Sequence, residues 1–222
     1  HYSNVNFVLL GMIIEAVTGN PWYTEVANRF GPGSTLDLKI DFDPSTTSTT
    51  LPGGADVGAT GYIDWYDSFA GACTDIPECD KDTIYPVTIH PSFYGSAGGL
   101  TGNVDDLYTW ATAIGKTYEG DSIANGALLD PALGFSSATS YFQVIAKVLH
   151  MGLGFFKNLS HNMVGHPGQV QGYDCAVWYR YDVKQPIAAC ANTTITAGGK
   201  VQGLALYGIM DLLDGKTEVT LD

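Results

Sequence analysis

Histidines and cysteines come first, because they supply bases, nucleophiles and metal ligands near neutral pH. His161 and His166 lie five apart beside a predicted strand. That spacing sends them to opposite faces, so no metal pair is expected there. The four cysteines, Cys73, Cys79, Cys175 and Cys190, contain no Cys-x-x-Cys. An even number without that spacing fits two disulfides better than a zinc site. His-Glu-x-x-His, Gly-x-Ser-x-Gly, a P-loop and a dinucleotide fingerprint are all missing from the sequence. The shortest routes to zinc hydrolysis, elbow-type serine hydrolysis and nucleotide binding are therefore closed.

Three segments remain that carry polar side chains beside glycines. The first is Tyr2-Ser3-Asn4, directly before the apolar stretch Phe7–Val17 and Thr18-Gly19. The second is Ser96-Ala-Gly-Gly-Leu-Thr-Gly-Asn-Val-Asp-Asp-Leu107. The third is Gly152-Leu-Gly-Phe155, followed by Gly165-His166-Pro167-Gly168 and Gly172-Tyr173. In order and spacing they resemble the serine β-lactamase and DD-peptidase superfamily. The nearest branch is the D-alanyl-D-alanine carboxypeptidases, class C β-lactamases and related esterases. There, Tyr-x-Asn is the second active-site motif and His-x-Gly or Lys-x-Gly the third. The resemblance covers the whole chain and is weakest over residues 31 to 90.

That resemblance implies acyl transfer. A serine hydroxyl attacks a peptide, lactam or ester carbonyl and needs a base to take its proton. Tyr2 would exchange that proton, its phenol made acidic by a neighbouring cation. Asn4 would donate its amide to the substrate's acyl-amide carbonyl. His166, at the start of the active-site strand, would hydrogen-bond Tyr2 or a substrate carboxylate. Gly168 would let substrate lie against the strand backbone, and the N–H of Gln169 would form half of an oxyanion hole. Such an enzyme works without metal or organic cofactor.

One part of the pattern is absent. The family's nucleophile comes from Ser-x-x-Lys upstream of Tyr-x-Asn, and only His1 precedes Tyr2. Leu36, Glu78, Ala113, Val144, Gly154, Tyr181, Ala197 and Leu213 stand three places before the eight lysines, and none is serine. The nucleophile is expected on an upstream segment or on a second chain. By themselves these residues are not expected to acylate, because such groups act as a unit. The rival expectation is a catalytically silent binding module that uses the old groove or an exposed sheet edge.

The elements that must position these residues follow from patterning. Ser3 or Asn4 caps a helix that begins near Val5 and is stopped by Thr18-Gly19-Asn20-Pro21. It is apolar nearly all round and therefore predicted buried. A second helix is expected over 21–30. Asn103 caps another, with Asp105 and Asp106 in its first turn and an apolar face of Val104, Leu107, Trp110, Ala111 and Ile114. Further helix is expected between Gly126 and Lys147, and a last one over Gly199–Leu213. Strands are predicted over 148–157, 162–168, 173–181 and 185–191. A two-residue turn at Asp182-Val183 places Cys175 directly opposite Cys190, which makes them the preferred disulfide. Pro167 can donate no ladder hydrogen bond, so it belongs at an edge or strand start. Residues 31–95, rich in Gly, Pro, Ser, Thr and Asp but studded with aromatics, read as a long packed wall, with Cys73 and Cys79 available to staple it.

The expected fold is α/β (α+β): an antiparallel sheet flanked by helices in one β-lactamase-like domain over residues 1–222, incomplete at the N-terminus. With 222 residues, 45% apolar and 15% charged, the chain can bury a sizeable core. A net charge of −13 argues against nucleic acid or anionic lipid as partner. Its longest apolar run, Phe7–Ile14, is too short to cross a bilayer. The paired cysteines, the sequons Asn158-Leu-Ser160 and Asn192-Thr-Thr194, and an opening His-Tyr-Ser-Asn fit a mature, secreted or extracytoplasmic glycoprotein. Expected partners are a small peptide, β-lactam or ester substrate and, beside it, a second chain carrying Ser-x-x-Lys.

Overall fold

The structure, a computed structural model, describes residues 3–40, 91–119, 154–193, 211 and 214–215. It also gives the backbone of short strands at 62–63, 85–86, 136–137 and 149–151. The chain forms two compact units. The larger comprises His1–Val57, His90–His166 and Val177–Ala188; the smaller comprises Gly58–Ile89, Pro167–Ala176 and Ala189–Asp222.

Helix α1 spans Asn4–Thr18. Ser3 is its cap, the hydroxyl accepting from the Val5 N–H at 3.3 Å, and Gly19 closes it in the left-handed conformation. Helix α2, Trp22–Phe30, follows at once. The two are tied by Glu15, whose carboxylate accepts from the Trp22 N–H at 3.2 Å. A 3-10 segment, Pro91–Ala97, precedes helix α3, Val104–Tyr118. Asn103 caps α3 by accepting from the Asp106 N–H at 2.9 Å. Asp106 is buried and also accepts from the backbone of Lys39 at 2.9 Å. Its carboxylate thus holds the segment after α2 against the start of α3.

Strands β1 (Tyr62–Ile63) and β2 (Tyr85–Pro86) pair with each other. The main sheet has six strands in sequence order: β3 (Ser136–Ser137), β4 (Leu149–Met151), β5 (Phe156–Asn158), β6 (Met163–Val170), β7 (Tyr173–Arg180) and β8 (Gln185–Ala191). The pairings β3–β4, β4–β5 and β5–β6 are antiparallel, as expected of a meander. The core of the larger unit lies between α3 and the sheet. Ile114, Phe155, Val164 and Tyr179 are its buried centre, with Trp110, Tyr118, Val177 and Tyr181 packed around them. Burying each large apolar side chain contributes about 2 kcal/mol.

Four expectations need correction. The stretch 148–157 is two antiparallel strands rather than one, because the chain reverses between Met151 and Phe156. Within the region expected to be helical, Ser136–Ser137 is a strand paired to β4. The hairpin between β7 and β8 turns through Tyr181 to Lys184 rather than two residues, with Lys184 at φ 56°. Helix α1 is not buried. Gly11 alone is fully covered, and only Phe7 and Ile14 on the same stripe are half-buried. The last predicted helix lies almost entirely outside the described residues. No described helix is long and apolar enough to cross a membrane.

Candidate active site

The sequence-predicted site residues fall on two elements. Asn4 is the first residue of α1 and is exposed. Tyr2 lies outside the described residues. His166, Gly168 and Gln169 follow one another along β6, with His166 half-buried and the other two exposed. Asn4 and His166 belong to the larger unit, whereas Gly168 and Gln169 belong to the smaller.

The end of α1 that carries Asn4 is fixed by the second sequence segment. Ser96 Oγ donates to the carbonyl of Phe7 at 2.8 Å. The same hydroxyl sits where a side chain on Gly11 would be: a Cβ built there falls 2.2 Å from Ser96 Oγ and 2.7 Å from Ser96 Cβ. The helix can approach this closely only because position 11 is glycine. The sequence reading assigned Ser96 no role. The signal available was a lone glycine inside an otherwise apolar helical run.

On the other element, β6 and β7 approach closely at Gly165, directly before His166. A Cβ there would stand 2.1 Å from the Val177 carbonyl oxygen and 2.7 Å from Trp178 Cα. The imidazole of His166 rests 5.0 Å from the ring of buried Phe156, tilted by 41°. Pairing of β5 with β6 covers Met163 to Gly165, so Pro167 falls past its end, where the missing N–H costs no hydrogen bond to β5. At Gly168 a Cβ would meet only the Cys175 carbonyl, at 3.8 Å.

Cys175 and Cys190 form the expected disulfide between β7 and β8. Cys73 and Cys79 lie outside the described residues. Asn158 Oδ1 accepts from the backbone N–H and the hydroxyl of Ser160, at 3.1 and 2.7 Å, so the first sequon closes as an Asx turn. His161 sits in the turn before β6, not on the strand. Among the described residues no group of three or more His, Cys, Asp or Glu could hold a metal ion.

The charged groups of the sheet secure the hairpin. Arg180 donates to Asp182 through Nε at 3.1 Å and Nη2 at 2.7 Å, and Asn162 donates to it at 3.2 Å. The guanidinium hydrogen bonds hold the Asp182 carboxyl down at about 2. Tyr179 donates to Glu119 at 2.5 Å. Burial, then that hydrogen bond, push its phenol up to about 12, and the same bond holds Glu119 below the usual carboxylate range. Lys157 donates to the Tyr118 hydroxyl at 2.6 Å and lies over the rings of Tyr118 and Tyr181.

Comparison with known proteins settles the lineage. The Beta-lactamase family matches residues 1–207. The chain belongs to that family. Its helices and antiparallel sheet are those of a β-lactamase-like α/β fold. A D-stereospecific amidohydrolase from Streptomyces sp. superposes with TM-score 0.63 at 26% identity, over 87% of this chain and 50% of that one. A D-amino acid amidase from Ochrobactrum anthropi SV3, complexed with L-phenylalanine amide, does so with TM-score 0.61 at 20% identity, again over 87% and 50%. An octameric penicillin-binding protein homologue from Pyrococcus abyssi gives TM-score 0.66 at 22% identity, over 97% and 42%. The chain therefore spans about half the length of these structures.

Proposed function

We propose that this chain is the larger working part of a penicillin-recognising serine hydrolase, one β-lactamase-like domain completed by a Ser-x-x-Lys segment on another stretch of polypeptide. The reaction is acyl transfer. The serine attacks the carbonyl of a D-amino-acyl peptide, β-lactam or ester, Tyr2 takes and returns its proton, and water then releases the acyl group. Asn4 donates to the acyl-amide carbonyl, His166 hydrogen-bonds Tyr2 or a substrate carboxylate, and the Gln169 N–H receives the developing oxyanion. Substrate lies along β6 at Gly168, and residues 31–95 form the wall that selects it.

The observation that carries this reading is a β-lactamase-family chain whose sequence holds Tyr-x-Asn, its Asn4 opening α1, with His-x-Gly on β6 beyond the pairing with β5. The neighbours named as an amidohydrolase and an amidase support D-amino acid amides as the first substrates to assay. The Cys175–Cys190 bridge supports an extracytoplasmic home, with Asn158 and Asn192 as glycan acceptors. Cys73 and Cys79 supply the second bridge. A fluorescent penicillin and a fluorophosphonate probe test the reaction. Covalent labelling of the native preparation, lost in His166→Ala, is expected. An unlabelled preparation of clean mass, with no second chain, supports instead a catalytically silent binding module, a reading favoured by the lack of Ser-x-x-Lys in these residues.

A further inference from the structure

The hairpin of β7 and β8 is fastened at both ends, by different chemistry. At the turn, Arg180 and Asn162 grip Asp182, and the Tyr181 N–H donates to the Asn162 carbonyl at 2.9 Å. At the open end the fastening is covalent. Cys175, close to the start of β7 at Tyr173, is bridged to Cys190, next to the end of β8 at Ala191.

That bridge lies level with the strand on which substrate is proposed to rest. The described atom nearest a Cβ built on Gly168 is the Cys175 carbonyl oxygen, 3.8 Å away. Gly168, Cys175 and Cys190 therefore stand in line across three neighbouring strands. All three belong to the smaller unit. The described pairing of β6 with β5 ends at Gly165, so the Pro167–Val170 end of β6 takes its support within the sheet from β7. A strand end held from one side is where local opening starts. The bridge is also within reach of solvent: Cys190 is exposed and Cys175 half-buried. Exposed disulfides are the ones that exchange with external thiols.

We infer that the Cys175–Cys190 bridge is a redox gate on this site. Closed, it fixes β7 under Gly168 and holds the Gln169 N–H where an oxyanion forms. Opened, it frees that end of β6 to shift. This rests on the reading that Gly168 and Gln169 receive the substrate. Opening needs a dithiol reductant. One thiolate attacks Cys190 Sγ, the S–S bond breaks, and Cys175 leaves as a thiolate that takes a proton. The reductant's second thiol then displaces Cys190 and closes its own disulfide. Two electrons and two protons have passed to the protein, and a disulfide oxidant reverses the exchange. An oxyanion donor must stand within about 0.5 Å of its working position, and a displacement of about 1 Å costs on the order of a hundredfold in rate. Such a gate keeps acyl transfer silent until the chain meets an oxidising medium.

The test uses the product of the whole reading frame that contains these 222 residues, expressed from its own start codon. Fluorescent-penicillin labelling rates and amide NMR spectra are taken before reduction with dithiothreitol, after it, and after reoxidation. Reduction should slow labelling by about tenfold or more, and reoxidation should restore it. The Gln169 and Val170 amide signals should move or broaden on reduction, while those of Met163 and Val164 stay. Cys175→Ser/Cys190→Ser should label at the reduced rate and ignore the reductant. Cys73→Ser/Cys79→Ser, whatever its own starting rate, should still respond. A response that survives the first pair of substitutions and vanishes with the second overturns the inference. So does a spectrum that collapses throughout on reduction, which makes the bridge a staple of the whole fold. Labelling at one rate in both redox states sinks the gate and leaves the catalytic reading standing. No labelling in either state, with Gln169 and Val170 still moving, sinks the catalytic reading and leaves redox control of the strand end standing. Unmoved signals overturn the gate whatever the labelling.

Discussion

Replacing Gly165 by alanine should cripple the sheet, whereas the same change at Gly168, three places along the strand, should be nearly silent for stability. At Gly165 the new methyl would lie 2.1 Å from the Val177 oxygen and 2.7 Å from Trp178 Cα. Ordinary contacts between such atoms begin near 3.5 Å, so the overlap is on the order of 1 Å. Both obstacles belong to the β7 backbone and cannot swing aside as a side chain could. Overpacking costs about 1–3 kcal/mol, and each ladder hydrogen bond stretched as β6 moves away adds about 1. A loss of roughly 3 kcal/mol with a urea m-value near 2 kcal/mol/M lowers the unfolding midpoint by about 1.5 M. At Gly168 the nearest atom is 3.8 Å away, an ordinary contact, so the midpoint should stay within about 0.3 M of the parent. Gly168→Ala should still weaken acylation, because the open side of that residue is where substrate is proposed to lie. Urea unfolding followed by tryptophan fluorescence reads both variants. A Gly165→Ala midpoint indistinguishable from the parent would refute the close-approach argument.

Gly11→Ala should detach α1 from Ser96 and cost about 1–3 kcal/mol, and adding Ser96→Gly should recover most of it, as a double-mutant cycle would show. Reducing Cys175–Cys190, whose residues are 15 apart, should lower the free energy of unfolding by about 3 kcal/mol, measured by denaturation with and without reductant. Asp182 has a folded-state pKa of about 2, depressed below its unfolded value, so its contribution is present above about pH 4 and fades as pH falls through 2. Asp182→Asn should therefore cost about 1 kcal/mol at pH 7, after discounting for solvent screening, and almost nothing at pH 2 in matched denaturation curves. Tyr179 behaves oppositely: its raised pKa stabilises the fold below about pH 10, and the gain is lost as pH climbs through 12. Tyr179→Phe should erase that alkaline transition in a spectrophotometric titration.

Periodicity was enough to find α1, α2, α3 and the sheet's last three strands, because each carries a local signal. Ser3 and Asn103 are caps, Gly19 is a C-terminal stop, and burial alternates from Tyr173 to Trp178 in β7. The disulfide was legible for the same reason, since one hairpin fixes which residues face each other. What patterning missed depends on contacts distant in sequence. Nothing near Ser96 says that its hydroxyl meets the Phe7 carbonyl, and nothing near Asp106 says that it also accepts from Lys39. The reversal between Met151 and Phe156 was read as one strand because its residues remain apolar through the turn. Burial of α1 was inferred from composition, which states that a helix wants cover without stating whether these 222 residues provide it. For the site, Asn4 and His166 were recognisable only as members of ordered motifs; as isolated residues they are a helix start and a strand histidine.

The most direct measurement is a crystal structure of the whole reading-frame product trapped with a β-lactam. The account predicts an acyl group on the serine of a Ser-x-x-Lys outside His1–Asp222, with the Tyr2 phenol, the Asn4 amide and the His166 ring lining the pocket that holds it. An acyl group attached elsewhere, or Tyr2 and His166 on separate surfaces away from it, would contradict the account.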